Sequence, residues 1–330
     1  MRLRHLRLNR RRFVALTGAS GAAALMPAVT RAAPPTVSLN GRAFGTDWFV
    51  SLPSSTDTAG LQALVETLLE ELDLAFSPWR TNAVLARFNA GGKREMAVTA
   101  EIADVTASAL SIARDSDGHF DPTVGPLVAR WGFGPITSGA TPARGWQTLG
   151  AGNGHLARSE PSVTVDLCGI AKGHALDRIV GLLHDAGCDD FLVSLGGELA
   201  ARGRHPAGRS WAVGVEDPRP LATGIAAVLR LEGFAVATSG DRANGYDIGS
   251  RRYSHIIDPV THEPVESSLA SVSVLMRSAR EADGWATALM AAGIAGPELA
   301  RRRGITALFL FRAGDGLREV ATGDLERFRG

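Results

Sequence analysis

The sequence predicts an α+β fold: one large domain of antiparallel-rich sheets with inserted helices. Three observations predict it. Short apolar runs alternate with period two and arrive in consecutive groups, as strands joined by hairpins do. Segments with helical periodicity fall between these groups. They do not alternate one for one with strands, as a doubly wound sheet would require. Beyond residue 33 no repeat of fixed period and no linker-like composition divides the chain.

Residues 1–32 read as an export signal and lie outside the expected fold. Asn9-Arg-Arg-Arg-Phe13 is a twin-arginine pattern, followed by a weakly apolar stretch (Val14–Met26) and small residues up to Ala32-Ala33. The stretch is shorter than the ~20 residues a bilayer span needs, which disfavours an uncleaved anchor helix. No Cys stands near Thr30-Arg31-Ala32, the expected cleavage point, so no lipid anchor is expected. The expectation is a periplasmic protein whose mature domain, 33–330, has no transmembrane span.

Charge narrows the partners. The leader holds seven of the 35 basic residues and no acid, so the remainder carries 28 basic against 34 acidic residues, a net charge of −6. Such a surface argues against nucleic acid or anionic membrane as a partner. The two cysteines, Cys168 and Cys188, form no metal-binding spacing and read as free thiols.

In chain order, Thr36–Leu39 and Trp48–Leu52 read as strands on either side of Phe44-Gly-Thr46. Leu61–Phe76 reads as an amphipathic helix with Leu61, Leu64, Leu68, Leu72 and Ala75 on its inner face. A polar loop, Ser77–Thr81, leads to a short helix ending near Asn89. A second long helix, Ala100–Asp115, stops at Asp117-Gly118. A short helix to Trp131 and a loop, Gly132–Ala143, precede a buried strand expected over Ser162–Leu167. That strand turns at Gly169 into a helix. Strands follow at Phe191–Leu195, Trp211–Val215, Ala226–Leu231 and Phe234–Ala237. A loop, Ser239–Arg252, then precedes strand Tyr253–Ile257. Strand Val272–Met276 feeds helix Glu281–Ala292. A last helix, Pro297–Arg302, and a strand, Ile305–Phe311, close the pattern.

Two stretches point to chemistry. The chain has only two lysines, Lys93 and Lys172. A sequence that uses Arg almost everywhere yet keeps Lys172 between Ala171 and Gly173 calls for a compact ammonium there. A helix opening at a glycine turn presents backbone N–H groups, the usual seat of a phosphate. The second stretch is Glu281-Ala-Asp-Gly-Trp-Ala-Thr-Ala288. Asp283 and Thr287 stand four apart, on one helix face, and both offer hard oxygen atoms of the kind Mg²⁺ prefers. Taken alone, Asp283 could equally cap a helix, and Thr287 could bond the backbone one turn earlier.

Further stretches give these two a context. They are Phe44-Gly-Thr46, Ser77-Pro-Trp-Arg80 with Arg87-Phe-Asn89, and Gly118-His-Phe-Asp-Pro-Thr-Val-Gly-Pro-Leu127 with Trp131-Gly-Phe-Gly134. After Val165-Asp-Leu-Cys-Gly-Ile-Ala-Lys-Gly173 and Asp177 come Ser194-Leu-Gly-Gly197, Ala237-Thr-Ser-Gly240, His255-Ile-Ile-Asp-Pro259 and Ala282-Asp-Gly-Trp-Ala-Thr287. In this order they resemble the ApbE family of FAD:protein FMN transferases over nearly all of residues 33–330.

The resemblance implies a periplasmic enzyme that takes FAD as substrate with Mg²⁺. It would move FMN onto a Thr or Ser hydroxyl of an acceptor flavoprotein in a membrane electron-transfer complex, releasing AMP. It implies FAD contacts from Phe44, Trp79, Phe120, Asp121, Pro122, Asp166, Lys172 and Ile257. The Gly169 carbonyl, Asp283 and Thr287 would hold the metal, and His255 would be the general base. Phe44 replaces the family's usual Met, and Arg242-Ala-Asn-Gly245 departs from its pattern after Asp241. Trp79 reads equally as a core aromatic, and Asp177 as a partner of Arg178 or a loop cap. Two other activities share the resemblance: an FAD pyrophosphatase, with water in place of the protein hydroxyl, and a non-catalytic periplasmic flavin carrier.

Overall fold

The computed structural model describes residues 36–330 apart from 220, 243 and 250, so the expected export signal lies outside the described residues. The chain opens with a hairpin, β1 (Thr36–Ala43) and β2 (Thr46–Pro53). Helices α1 (Leu61–Phe76) and α2 (Val84–Ala90), strand β3 (Glu95–Ala97), and helices α3 (Ala100–Asp115) and α4 (Gly125–Arg130) follow. Next come β4 (Leu149–Gly152), β5 (His155–Arg158) and α5 (Ala171–Asp185). Strands β6 (Phe191–Leu195), β7 (Glu198–Arg202), β8 (Trp211–Glu216), β9 (Ile225–Leu231) and β10 (Phe234–Gly240) form the centre of the chain. Two small hairpins, β11 (Gly245–Ile248) with β12 (Arg251–Ser254) and β13 (Ile257–Asp258) with β14 (Glu263–Pro264), lead to β15 (Leu269–Met276). Helices α6 (Ala279–Ala291) and α7 (Gly296–Arg302) and strands β16 (Thr306–Ala313) and β17 (Gly316–Thr322) complete it.

The main sheet has eight strands in the order β1-β2-β6-β7-β10-β15-β16-β17, every neighbouring pair antiparallel. Helices α1, α5 and α6 cover one face. The β8–β9 hairpin and the turn Leu325–Phe328 cover the other. The central strands are therefore buried on both sides. In β6, Val193 and Leu195 join the core under α1 and α5, while Leu192 joins the core under β8–β9. Such strands read as continuous apolar runs and not as alternation. The predicted α+β class with antiparallel sheets is the one observed.

Some boundaries differ from the expectation. Ser162–Leu167 is not a strand: only Val163 makes an isolated bridge, to Ala140. The segment is extended but held by side chains. Asn89 accepts from Val165 N at 2.7 Å and donates to Val165 O at 2.8 Å, occupying both groups a neighbouring strand would use. On α1, Val65, Leu69 and Phe76 are buried with Leu61, Leu68 and Leu72, whereas Leu64 is 52 % exposed. The inner face is rotated because α1 lies across both the β1–β2 hairpin and α5. The loop expected over Ser239–Arg252 is largely strand β10's end and the β11–β12 hairpin. The short strands β3, β4, β5 and β7 and the edge strand β17 were not anticipated, being short, polar or Gly-rich.

Among the described residues no helix is long and apolar enough to cross a membrane. Both cysteines are free thiols.

Candidate active site

The site forms where the start of α5 meets α6. Gly173 makes the contact possible: a Cβ there would fall 2.2 Å from the Ala279 carbonyl oxygen, so only glycine lets the two helices approach this closely. The approach brings Asp283 onto the first turn of α5, where its Oδ2 accepts the Gly173 N–H at 2.9 Å. The expected anion seat is thus partly filled by a side chain of the protein. A carboxylate at a helix N-terminus is favoured by the exposed N–H groups and the dipole.

Lys172 projects from the same turn. Its Nζ lies 2.9 Å from Glu198 Oε1 and 3.7 Å from Asp283 Oδ1. Both carboxylate side chains are 4 % exposed, against 29 % for the lysine. Glu198 opens β7 immediately after Gly196-Gly197, whose positive φ values of 65° and 111° make the tight turn from β6. A Cβ on Gly196 would lie 2.8 Å from Thr46 and 3.4 Å from Lys172 Cδ. The Gly-Gly turn therefore lets the lysine stem run beside the β1–β2 hairpin. The turn of that hairpin is Phe44-Gly45, with Phe44 at φ 51° and packed on the main core.

Thr287 lies one turn beyond Asp283 on α6. Its hydroxyl donates to the Gly169 carbonyl at 3.3 Å, and the Phe120 ring packs against Gly169. Asp283 thus caps a helix, as its sequence context allowed, though that helix is α5, whereas Thr287 bonds the Gly169 carbonyl and not the backbone one turn earlier. One carboxylate, one hydroxyl and one carbonyl are hard donors that suit Mg²⁺ when ligand phosphate oxygens complete the shell. Among the described residues no group of three or more His, Cys, Asp or Glu stands where it would hold a metal.

Asp166 lies at the end of the extended segment, its N–H on the Pro122 carbonyl at 2.7 Å and its Oδ1 accepting from Cys168 N at 2.9 Å. Burial and the Asp166 carboxylate push the Cys168 thiol well above its ordinary value. Asp121 is buried and turned onto Thr123, accepting from its N–H at 2.8 Å and its hydroxyl at 2.6 Å. Burial raises its pKa against those bonds. Pro122 and Ile257 are buried. Trp79 is 62 % exposed and so is not the core aromatic that its sequence context equally allowed.

His255 follows β12. Its Nδ1 lies 3.0 Å from the Asn244 carbonyl. A carbonyl only accepts, so that contact places the proton on Nδ1 and leaves Nε2 as the basic nitrogen. Phe133 meets the ring edge-on at 6.3 Å and stacks on Tyr246. Tyr246 stacks on Tyr253, and Tyr253 on Trp131. The neighbouring Ile256 is buried in the core that α6 shares with β15, α7 and β16.

Three contributors were not anticipated. Glu198 had a signal, an acid directly after a Gly-Gly turn. Asn89 was visible only as part of a motif. Arg158 had none: it is 2 % exposed and donates to the Lys93, Phe88 and Val163 carbonyls, clamping the extended segment that leads to the site.

The relatives of this chain share both its sequence and its shape. The ApbE family model matches residues 44–309. A FAD:protein FMN transferase of Salmonella typhimurium is 36% identical over 323 residues, 92% of this chain and 92% of its own length. One from Escherichia coli strain K12 is 35% identical over 324 residues, 92% of this chain and 91% of its own. The flavin transferase ApbE from Vibrio cholerae superposes with a TM-score of 0.78 at 32% identity, over 89% of this chain and 100% of that one. The apo form of the Pseudomonas stutzeri flavinyl transferase ApbE gives a TM-score of 0.80 at 32% identity, over 90% and 97%. With the family model running from the first hairpin to β16, and these relatives matching nearly end to end, the chain belongs to the ApbE family.

Proposed function

We propose that the protein is a flavin transferase that takes FAD as substrate and moves its FMN moiety onto a Thr or Ser hydroxyl of an acceptor flavoprotein, releasing AMP. The observation that carries this is the meeting of Lys172, Asp283, Thr287 and the Gly169 carbonyl at one helix start, in a chain of this family. Transfer at a pyrophosphate gathers negative charge on its oxygens, and the protein's work is positioning and neutralising that charge. Lys172 supplies a point charge for the phosphates. Gly169 O, Asp283 and Thr287 would hold Mg²⁺, which when bound supplies charge neutralisation as a Lewis acid. The acceptor hydroxyl must lose a proton as its oxygen bonds to phosphorus, and His255 Nε2 is the candidate acceptor of it. Phe44, Trp79, Phe120, Asp121, Pro122, Asp166 and Ile257 would line the FAD.

Residues 1–32 would direct the folded domain to the periplasm by twin-arginine export, where the acceptor belongs to a membrane electron-transfer complex. The twin-arginine pattern Asn9–Phe13 and the weakly apolar stretch after it support that placement.

Incubating the protein with FAD, Mg²⁺ and a candidate acceptor, then measuring AMP and the intact mass of the acceptor, tests the reading. A mass gain of one FMN less one water, with matching AMP, is expected. FMN and AMP free in solution beside an unmodified acceptor would identify a pyrophosphatase instead. Tight FAD binding with no AMP would identify a carrier.

A further inference from the structure

The candidate base follows a hairpin that stands outside the main sheet. Among the described residues β11 and β12 form a sheet of their own. Two strands alone are marginally stable in water, so side chains must fix where such a hairpin sits. His255 closes onto it through one carbonyl. Its backbone N–H and its Nδ1–H both donate to Asn244 O, at 3.0 Å each. In water a neutral histidine prefers the proton on Nε2, a tautomer with no lone pair to offer there. The Nδ1–H bond to Asn244 O opposes it.

Arg252 holds the backbone around that carbonyl. Its Nε and Nη2 donate to the Asp241 carbonyl at 3.1 and 2.9 Å, and Nη2 also donates to the Arg242 carbonyl at 2.9 Å. Gly245 lets the guanidinium lie this close. A Cβ there would fall 3.1 Å from Nη2 and 2.8 Å from the Tyr253 carbonyl oxygen. Residues on both sides of Asn244 are thus gathered against one side chain. Asp241 ties that side chain to the main sheet. Its N–H donates to the Ala270 carbonyl of β15 at 3.2 Å, and its carboxylate takes two bonds from Arg312 of β16, at 2.8 and 2.6 Å. A bidentate pair on a carboxylate side chain only 10 % exposed is a firm anchor.

We propose that Arg252 is a positioning residue for the candidate base. Anchored on Asp241, it sets the Asn244 carbonyl so that His255 keeps its proton on Nδ1 and presents Nε2 to the acceptor hydroxyl. This rests on the flavin-transfer reading above. The planar fork matters, because it spans two carbonyls, whereas a lysine ammonium is a single point donor. The ion pair of Arg252 with Asp247, at 3.1 Å, matters little, since the aspartate is 65 % exposed.

The test reads the proton directly. Long-range proton–nitrogen spectra of protein with ¹⁵N-labelled histidines distinguish the two tautomers, and the His255 signals are those missing from His255→Ala. At a pH where the ring is neutral, the unaltered protein should show Nδ1–H. Arg252→Ala should move His255 toward Nε2–H and lower kcat for transfer by about 10–100-fold, within what loss of a general base costs, with the acceptor KM and FAD affinity little altered. Arg252→Lys, which keeps only the charge, should do the same. Asp247→Asn, which removes only the exposed pair, should leave tautomer and rate as they are.

A His255 that keeps Nδ1–H in Arg252→Ala overturns the proposal, whether or not the rate falls, because Arg252 then props the hairpin without setting the ring. Nε2–H in the unaltered protein overturns it too, as does an equal effect from Asp247→Asn. If Arg252→Ala fails to fold, Arg252→Lys is judged by the same criterion. An unaltered protein that transfers FMN to no acceptor defeats the functional reading, and a His255→Ala that transfers at the unaltered rate defeats the base. The tautomer measurement needs no turnover, so it decides the role of Arg252 separately from either.

Discussion

Asp177 on α5 accepts the Ser278 hydroxyl at 2.7 Å, at the N-cap of α6. The same carboxylate accepts the Ala279 and Arg280 N–H groups at 2.7 and 3.0 Å. It therefore pairs with neither Arg178 nor a loop but caps the helix that carries Asp283 and Thr287. Three otherwise unsatisfied groups depend on one side chain from the neighbouring helix.

Asp177→Ala should accordingly destabilise the fold by about 1–3 kcal/mol, the range of a lost cap plus buried donors left unpaired. Denaturant unfolding measures it, with Asp177→Asn expected to recover part of the loss. A change within a few tenths of a kcal/mol would show the cap to be dispensable.

Asp283→Asn should cost far more activity than stability. The amide oxygen still accepts from Gly173 N–H, so the helix contact survives while the charge is lost. Transition-state stabilisation of several kcal/mol should go with it, a fall of about 10³-fold or more in AMP release. Wild-type turnover in Mg²⁺ with a normal melting curve would remove Asp283 from the metal site.

Lys172→Arg should not behave as a conservative change. The lysine stem passes within 3.4 Å of where a Gly196 Cβ would stand, leaving little width for a planar guanidinium beside Glu198. FAD affinity and AMP release should each fall by roughly tenfold or more, the scale of losing a fitted charge contact. Unchanged values for both would separate Lys172 from the phosphates.

For His255→Ala we expect a fall in transfer of about 10²–10⁴-fold, the usual contribution of a general base, with FAD affinity little altered. A parallel loss of melting temperature and FAD affinity would instead mark His255 as a prop of the aromatic stack over Phe133.

Stability should fall on the acid side in two stages. Burial lowers the pKa of His174, although Glu101 accepts from it at 2.8 Å. The unfolded chain then binds the proton more readily, so stability is lost as pH drops below the usual histidine value of 6.5 and on toward the lower folded value. For Glu101 burial raises the pKa, but Arg178 and His174 outweigh it and hold the carboxyl below its usual range, so its contribution is lost later, as pH falls through the folded value. Unfolding free energies across pH 5–8 should slope less in His174→Gln than in the unaltered protein. Identical slopes would mean that His174 is not the group responsible.

The long helices were legible as sequence. Leu61–Phe76 and Ala100–Asp115 have the predicted ends because local chemistry sets them: Thr99 caps α3, and Asp117 and Gly118, both at positive φ, end it. Most strands buried on both faces were legible too, as apolar runs, β7 with its opening Glu198 being the exception. Short edge elements were not, since β17 and β3–β5 owe their existence to a neighbour's hydrogen bonds and not to their own residues. Ser162–Leu167 misled for the converse reason: β-branched, apolar residues announce an extended backbone, but Asn89, distant in sequence, and Arg158, just before the segment, took its hydrogen bonds.

By itself, then, the sequence singled out the candidate residues, because a lysine at a helix start and two hard oxygens at i and i+4 are local patterns. Tertiary structure alone decided how they meet. Glu198 reaches Lys172 across 26 positions, and Asp283 reaches Gly173 across 110. Such contacts depend on two helices approaching where one residue lacks a Cβ and on a strand beginning beside them. Periodicity along a chain holds no information about distances between its segments. Only the packed sheet and the helices laid over it bring these groups together.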